Sequence, residues 1–137
     1  MLFQKGMETM TQGNPAANAV VQYNAGGMTT TASGLQYKAF REGSGAKPSA
    51  NNTVTVHYRG VLLNGTQFDS SYDRDETISF PLRAVIAGWT EGLQLMAPGA
   101  HYLFYIPSKL AYGARGVPGV IPADAPLLFE VELISFE

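Results

Sequence analysis

Cysteine is absent from the 137 residues. That absence removes disulfides, thiolate metal sites and a cysteine nucleophile. It does not fix the compartment, since cysteine-free proteins occur on both sides of a membrane. Charge is also scarce, at 15% of residues, with 9 Lys and Arg against 11 Asp and Glu and a net charge of -2. With no basic surplus to neutralise phosphates, nucleic acid is not an expected partner. No run of 18 apolar residues occurs, so no membrane span is expected. The N-terminus lacks the charged start and apolar stretch of a signal peptide. Histidine is limited to His57 and His101. No H-x-H, H-E-x-x-H or His–carboxylate grouping has metal-ligand spacing, so no metal is expected.

What is present is a globular composition, 45% hydrophobic, of a length that suits one domain with a real core. Residues 1–33 stand apart. They hold only two charged residues, Lys5 and Glu8, four of the five methionines, and a small-residue stretch without clean periodicity. The expectation is a flexible N-terminal arm, or the remnant of a longer N-terminal region, ahead of a domain over 34–137. Within the arm, "NPAANAVVQY" could form a short helix with Asn14 as N-cap and Pro15 in the first turn.

From Leu35 the pattern sharpens. "LQYKAF" (35–40), "TVTVHYRGVLL" (53–63), "HYLFYIP" (101–107) and "LLFEVELISF" (127–136) alternate apolar with polar, which predicts strands, and "ISF" (78–80) adds a short one. "PLRAVIAGWTEGLQLM" (81–96) has helical spacing, with Ile86, Trp89 and Leu93 on one stripe. Each long strand carries one apolar and one polar face, so the sheet is expected to be covered on one side only. The predicted fold is α+β, a curved antiparallel sheet of four to six strands wrapped around one short helix.

Conventional catalysts are missing. Both histidines fall on the polar strand faces and read as solvated. Ser70, Ser71 and Ser108 lack a G-x-S-x-G elbow. The acidic run "DSSYDRDE" lacks the ligand spacing and central glycine of an EF-hand and reads as a solvated loop, from which only Asp69, following Phe68, leans inward. Inward aromatic and aliphatic surface is abundant instead: Tyr58, Phe68, Val85, Ile86, Trp89, Tyr112, Val120, Ile121 and Phe129. Plain core explains much of it. However, Trp89 and Tyr112 carry polar tips that a dry core must satisfy, and "GVPGVIP" puts aliphatics in a loop with no element beneath them. Together they predict a shallow apolar pocket with a few polar tips, the usual build of a small ligand site. The flanking glycines of "GWTEG" (88–92) are expected to bring the helix close to the sheet and to keep the approach to the indole clear.

The segments "VTVHYRG", "GTQFDSSYDR", "VIAGWTEGLQLM", "LAYGARGVPGVIP" and "LLFEVELI" resemble, in order and spacing, the successive motifs of the FKBP-type peptidyl-prolyl cis-trans isomerases, over about residues 33–137. "SGLQYKAF" and "GWTEGLQLM" resemble the bacterial macrophage-infectivity-potentiator branch. The resemblance implies isomerisation of X–Pro bonds in unfolded or folding polypeptides, without a cofactor. It implies Trp89 as the pocket floor under proline, and Tyr58, Phe68, Ile78, Val85, Ile86, Ile121 and Phe129 as walls. It likewise implies Tyr112 as the hydroxyl that bonds a substrate carbonyl, the Ile86 N–H as a second donor, and Asp69 as the polar residue at the rim. Val117 stands where some members have histidine and Ile78 where others have an aromatic, which implies altered affinity and sequence preference. Tacrolimus and rapamycin are implied inhibitors, and a homodimer through a longer N-terminal region is an implied assembly. A non-catalytic chaperone or peptide-binding module of the same fold, and a small-molecule carrier, are the competing readings.

Overall fold

The computed structural model describes residues 15–137. Asn14, the expected N-cap, lies outside the described residues. Helix α1 spans Pro15–Asn24, and seven strands follow: β1 (Thr29–Thr30), β2 (Gln36–Arg41), β3 (Thr53–Leu62), β4 (Gln67–Ser70), β5 (Ile78–Pro81), β6 (His101–Ile106) and β7 (Leu127–Phe136). Helix α2 (Ala87–Leu93) lies between β5 and β6. All pairings are antiparallel, in the order β1-β2-β6-β7-β3-β4. The free edge of β3 is shared, with Arg59–Val61 pairing β4 and Thr53–Val56 pairing β5. The chain between β4 and β5 therefore loops out beside the middle of β3. Two of these strands, β1 and β4, were not expected; each is too short for its alternation to register.

Residues 15–33 carry more regular structure than the arm expected there. Ala19 of α1 is buried against Val61, Leu103 and Leu128 of the sheet's outer face. Tyr23 stacks on Tyr105 at 5.0 Å. Lys38 Nζ donates to the carbonyls of Gln22 (2.6 Å) and Gly26 (2.8 Å), satisfying groups at the helix's C-terminal end. The one-sided cover expected for the sheet is thus corrected, because the outer face has apolar positions of its own and α1 packs on them.

The inner face holds the main core. Val54, Val56 and Tyr58 of β3, Tyr102, Phe104 and Ile106 of β6, and Phe129, Val131 and Leu133 of β7 close over Leu82, Trp89, Leu93 and Met96. The single helix expected over 81–96 is broken. A 3₁₀ turn over Leu82–Ala84 gives way to extended backbone at Val85 (φ -113°, ψ 178°), and Ile86 (φ -58°, ψ 150°) caps α2. A Cβ added to Gly88 would lie 2.5 Å from Ile106 Cγ2, and one on Gly92 would lie 2.7 Å from Phe104 Cε1. The two glycines therefore let α2 sit directly on β6. They face the sheet, so clearing the approach to the indole is not their part.

Candidate functional site

Where α2, β3, β5 and β7 meet, side chains leave a pocket of about 370 Å³. Trp89 is 5% exposed and lies against three rings: Tyr58 edge-on at 5.1 Å, Phe129 edge-on at 5.2 Å, and Phe80 tilted at 5.3 Å. Its Nε1 is buried without a hydrogen-bond partner. The polar tip expected to need satisfying is left without a partner in an indole packed against three rings. Val85 and Ile86 line the pocket from the break before α2, Ile78 from β5, and Tyr112 from the loop after β6. The Ile86 carbonyl accepts from the N–H groups of Trp89 (3.0 Å) and Thr90 (3.1 Å), while its own N–H donates to no described group. Tyr112 is 40% exposed.

Seven of the residues singled out in the sequence thus line one cavity: Tyr58, Ile78, Val85, Ile86, Trp89, Tyr112 and Phe129. Phe68, Asp69, Val117, Val120 and Ile121 do not line it. Phe68 supports it from behind, edge-on to Phe129 at 5.4 Å. Val117 and Ile121 bridge each other, and Ile121 borders a smaller hollow with Leu62 and Val120. Phe80 and Ala84 line the pocket without having been singled out. Phe80 could have been found, because it follows Ile78 at strand period on the same face.

Asp69 acts at one remove. Its carboxylate accepts from the Tyr58 hydroxyl and, at 2.7 Å, from Arg74 Nη1, while Arg74 Nη2 donates to the Tyr58 oxygen at 3.3 Å. Burial pushes the Asp69 carboxyl up, yet the bonds from Tyr58 and Arg74 together outweigh it and hold the group below the usual carboxylate range. Burial, with Asp69 adding to it, raises the Tyr58 hydroxyl. The pair is fixed as carboxylate and neutral phenol, and it orients the Tyr58 ring that walls the pocket.

The loop that follows Asp69 and carries Arg74 is pinned to the sheet's outer face. Ser71 Oγ accepts from the Tyr58 N–H and bonds His57 Nδ1, both at 2.7 Å. Tyr72 stacks on His57 at 4.7 Å, lies under the Arg59 guanidinium, and donates to Glu132 at 2.6 Å. Burial raises the Tyr72 hydroxyl well above the usual tyrosine range, and Glu132 adds to it. Burial also pushes Glu132 up, but its bonds from Tyr72 and Arg41 prevail and keep it low. His101 pairs with Glu130 at 2.8 Å. Arg59 is 8% exposed. The polar face expected to be solvated is here covered by Tyr72.

Residues 44–134 match the family described as FKBP-type peptidyl-prolyl cis-trans isomerase. The chain belongs to that family. It is 54% identical to an FKBP-type isomerase, FkpA, of Aeromonas hydrophila, over 89% of this chain and 44% of the relative. It is 52% identical to the isomerase Mip of Coxiella burnetii, over 82% of this chain and 49% of the relative. The chain thus spans about half the length of the curated relatives it matches. The fold superposes on the crystal structure of FkpA from Escherichia coli with a TM-score of 0.80 at 40% identity, covering 89% of this chain and 57% of that one. An isomerase structure from Pseudomonas syringae gives 0.78 at 36% identity, covering 96% and 99%. The FKBP family and its macrophage-infectivity-potentiator branch account for the fold, and no helix among the described residues is long and apolar enough to cross a membrane.

Proposed function

We propose that this FKBP domain catalyses cis-trans rotation about X–Pro bonds of polypeptides, with proline seated on Trp89. The observation that carries the reading is the pocket itself, an indole floor ringed by Tyr58, Phe80 and Phe129 and open at Tyr112. Uncatalysed rotation crosses a barrier of roughly 18–20 kcal/mol. The planar amide is polar through resonance, and the twisted transition state loses much of that charge separation. An apolar cavity therefore disfavours the planar state relative to the twisted one, while contacts to the rest of the peptide hold the substrate in place. Tyr112 and the Ile86 N–H are the donors for a rotated carbonyl. Rotation makes no covalent intermediate and moves no proton.

The deciding experiment is isomerisation of a short uncharged proline peptide. A folded protein without activity would favour a peptide-binding module on the same fold. Tacrolimus and rapamycin belong to the same proposal as occupants of the pocket. Trp89 is the only tryptophan, so its emission should change on their binding, and calorimetry checks the result. Homodimerisation through sequence N-terminal to the domain is a further part of the proposal, tested by light scattering on the longer protein.

Tyr112→Phe keeps the ring and removes one hydroxyl. A hydrogen bond contributes about 0.5–1.5 kcal/mol net, so kcat/KM should fall roughly 2- to 13-fold. Complete loss in a folded variant would assign the hydroxyl a chemical role.

The electrostatics predict a flat pH profile. Asp69 titrates below the usual range and Tyr58 above it, so neither changes charge between them. Both histidines bond groups on the outer face. On an uncharged peptide, kcat/KM should be constant from about pH 5.5 to 8.5. The lowered pKa of Asp69 gives stability that is present above its unfolded value, near pH 4, and is lost as pH falls through the folded value. That loss lies below the window, so protonation of Asp69 does not imitate a catalytic step within it. A step near pH 6.5, where histidine ordinarily titrates, that vanished in His57→Gln would show that the outer-face network reaches the chemistry.

A further inference from the structure

A second concavity opens on the other side of Val85. It encloses about 690 Å³ between Arg83, Val85, Glu91, Gln94, Leu95 and Leu110. Val85 lines both this concavity and the aromatic pocket. An extended chain advances about 3.3–3.6 Å per residue, and the shared Val85 makes the two hollows neighbours, so a chain that leaves the aromatic pocket past Val85 carries the residues a few places from the proline toward this concavity.

Most of its polar groups are already engaged. Thr90 Oγ1 donates to the Leu82 carbonyl and Gln94 Nε2 to the Thr90 carbonyl, both at 2.8 Å. The Glu91 carboxylate accepts from Ser33 Oγ at 2.5 Å. Arg83 differs. It is exposed, it stands one residue before Ala84 of the aromatic pocket, and it forms no ion pair among the described residues. A free guanidinium with fixed fork geometry suits a carboxylate. Half-buried Val85, Leu95 and Leu110 offer apolar surface beside it.

We propose that this concavity is a second subsite for the polypeptide flanking the X–Pro bond, and that Arg83 makes it select an acidic side chain there. The inference rests on the proline-pocket reading. Glu91 is the opposing charge in the groove, and its bond from Ser33 partly satisfies it, which leaves Arg83 the unpaired partner.

The test uses peptides identical except for Glu, Gln or Lys at each of the three positions after the proline and the two positions before X–Pro. The readout is the ratio of kcat/KM between peptides within one protein, so a general loss of activity cancels. At low salt the Glu peptide should be favoured about two- to fivefold over the Gln peptide at one position, the range of an exposed ion pair. The preference should vanish near 1 M salt, where the screening length is about 3 Å. Arg83→Gln should abolish it, and Arg83→Glu should turn it toward Lys. If the Gln peptide is turned over but the ratios are the same in the native protein and in Arg83→Glu, the subsite is wrong. A native preference for Lys would give the groove to Glu91 and overturn the assignment. If no peptide is turned over, the proline-pocket reading fails and takes this inference with it.

Discussion

Trp89→Ala should lower stability by about 3–5 kcal/mol, the usual cost of deleting a buried aromatic side chain. The indole is nearly fully buried and touches Tyr58, Phe80 and Phe129. Those three rings would face a void, and the helix that bears residue 89 is held on β6 by close glycine contacts, which leaves little freedom to collapse. Against a typical total of about 5–15 kcal/mol, the variant should fold but unfold at much lower urea, with an unchanged slope. Activity should fall further than stability explains. Each buried CH₂ is worth about 0.8 kcal/mol, so losing contact with two CH₂ groups of a proline ring would cost about tenfold or more in kcat/KM. Trp89→Phe should cost less than half as much stability, since Nε1 has no partner to lose. A stability loss under about 1 kcal/mol for Trp89→Ala would show that the cavity closes, and unchanged kcat/KM would remove Trp89 from the proposed floor.

The core face was legible in the sequence because strand alternation is a two-residue rule. Val54, Val56 and Tyr58 share a face by spacing alone, and so do Phe129, Val131 and Leu133. The five ordered motifs then located most of the pocket lining. What spacing could not show was the partner of each polar face. His57 read as solvated because nothing local reveals that Tyr72, from a loop, covers it together with Arg59. Arg74 was invisible for the same reason: its role exists only through Asp69 and Tyr58, brought beside it by the pairing of β3 with β4. The helix over 81–96 misled because apolar spacing continues through Val85 and Ile86 while the backbone does not. That break presents Val85 and Ile86 to the pocket, so the failure of the periodic reading falls at the site itself.

Gly60→Ala should distort the site from behind and cost net stability of about 1–2 kcal/mol. Gly60 sits mid-strand in β3, paired with Asp69 on one side and Phe129 on the other. A Cβ there would lie 2.6 Å from Phe129 Cε1 and 2.6 Å from Phe68 Cζ. Overpacking of that kind costs roughly 1–3 kcal/mol, offset by about 0.5–1 kcal/mol from the lower backbone entropy of alanine. The two rings differ in their freedom to yield. Phe68 is half-buried, while Phe129 is 4% exposed and wedged edge-on against Trp89. Movement of Phe129 would narrow the pocket it lines, so kcat/KM on the uncharged proline peptide should fall together with stability. Phe68→Leu in the same chain separates the two rings' parts. A smaller side chain on that side makes room for the added methyl, so the double variant should be more stable than the sum of the single losses by about 1 kcal/mol, the coupling of residues in contact. Activity should recover with it if Phe129 returns to its place. Recovered stability with activity still low would mean that Phe68 takes part in the site beyond supporting Phe129. A loss below about 0.3 kcal/mol for Gly60→Ala alone, within the additivity error of such cycles, would show that β3 shifts to admit the methyl and that the close approach of the two rings is not fixed.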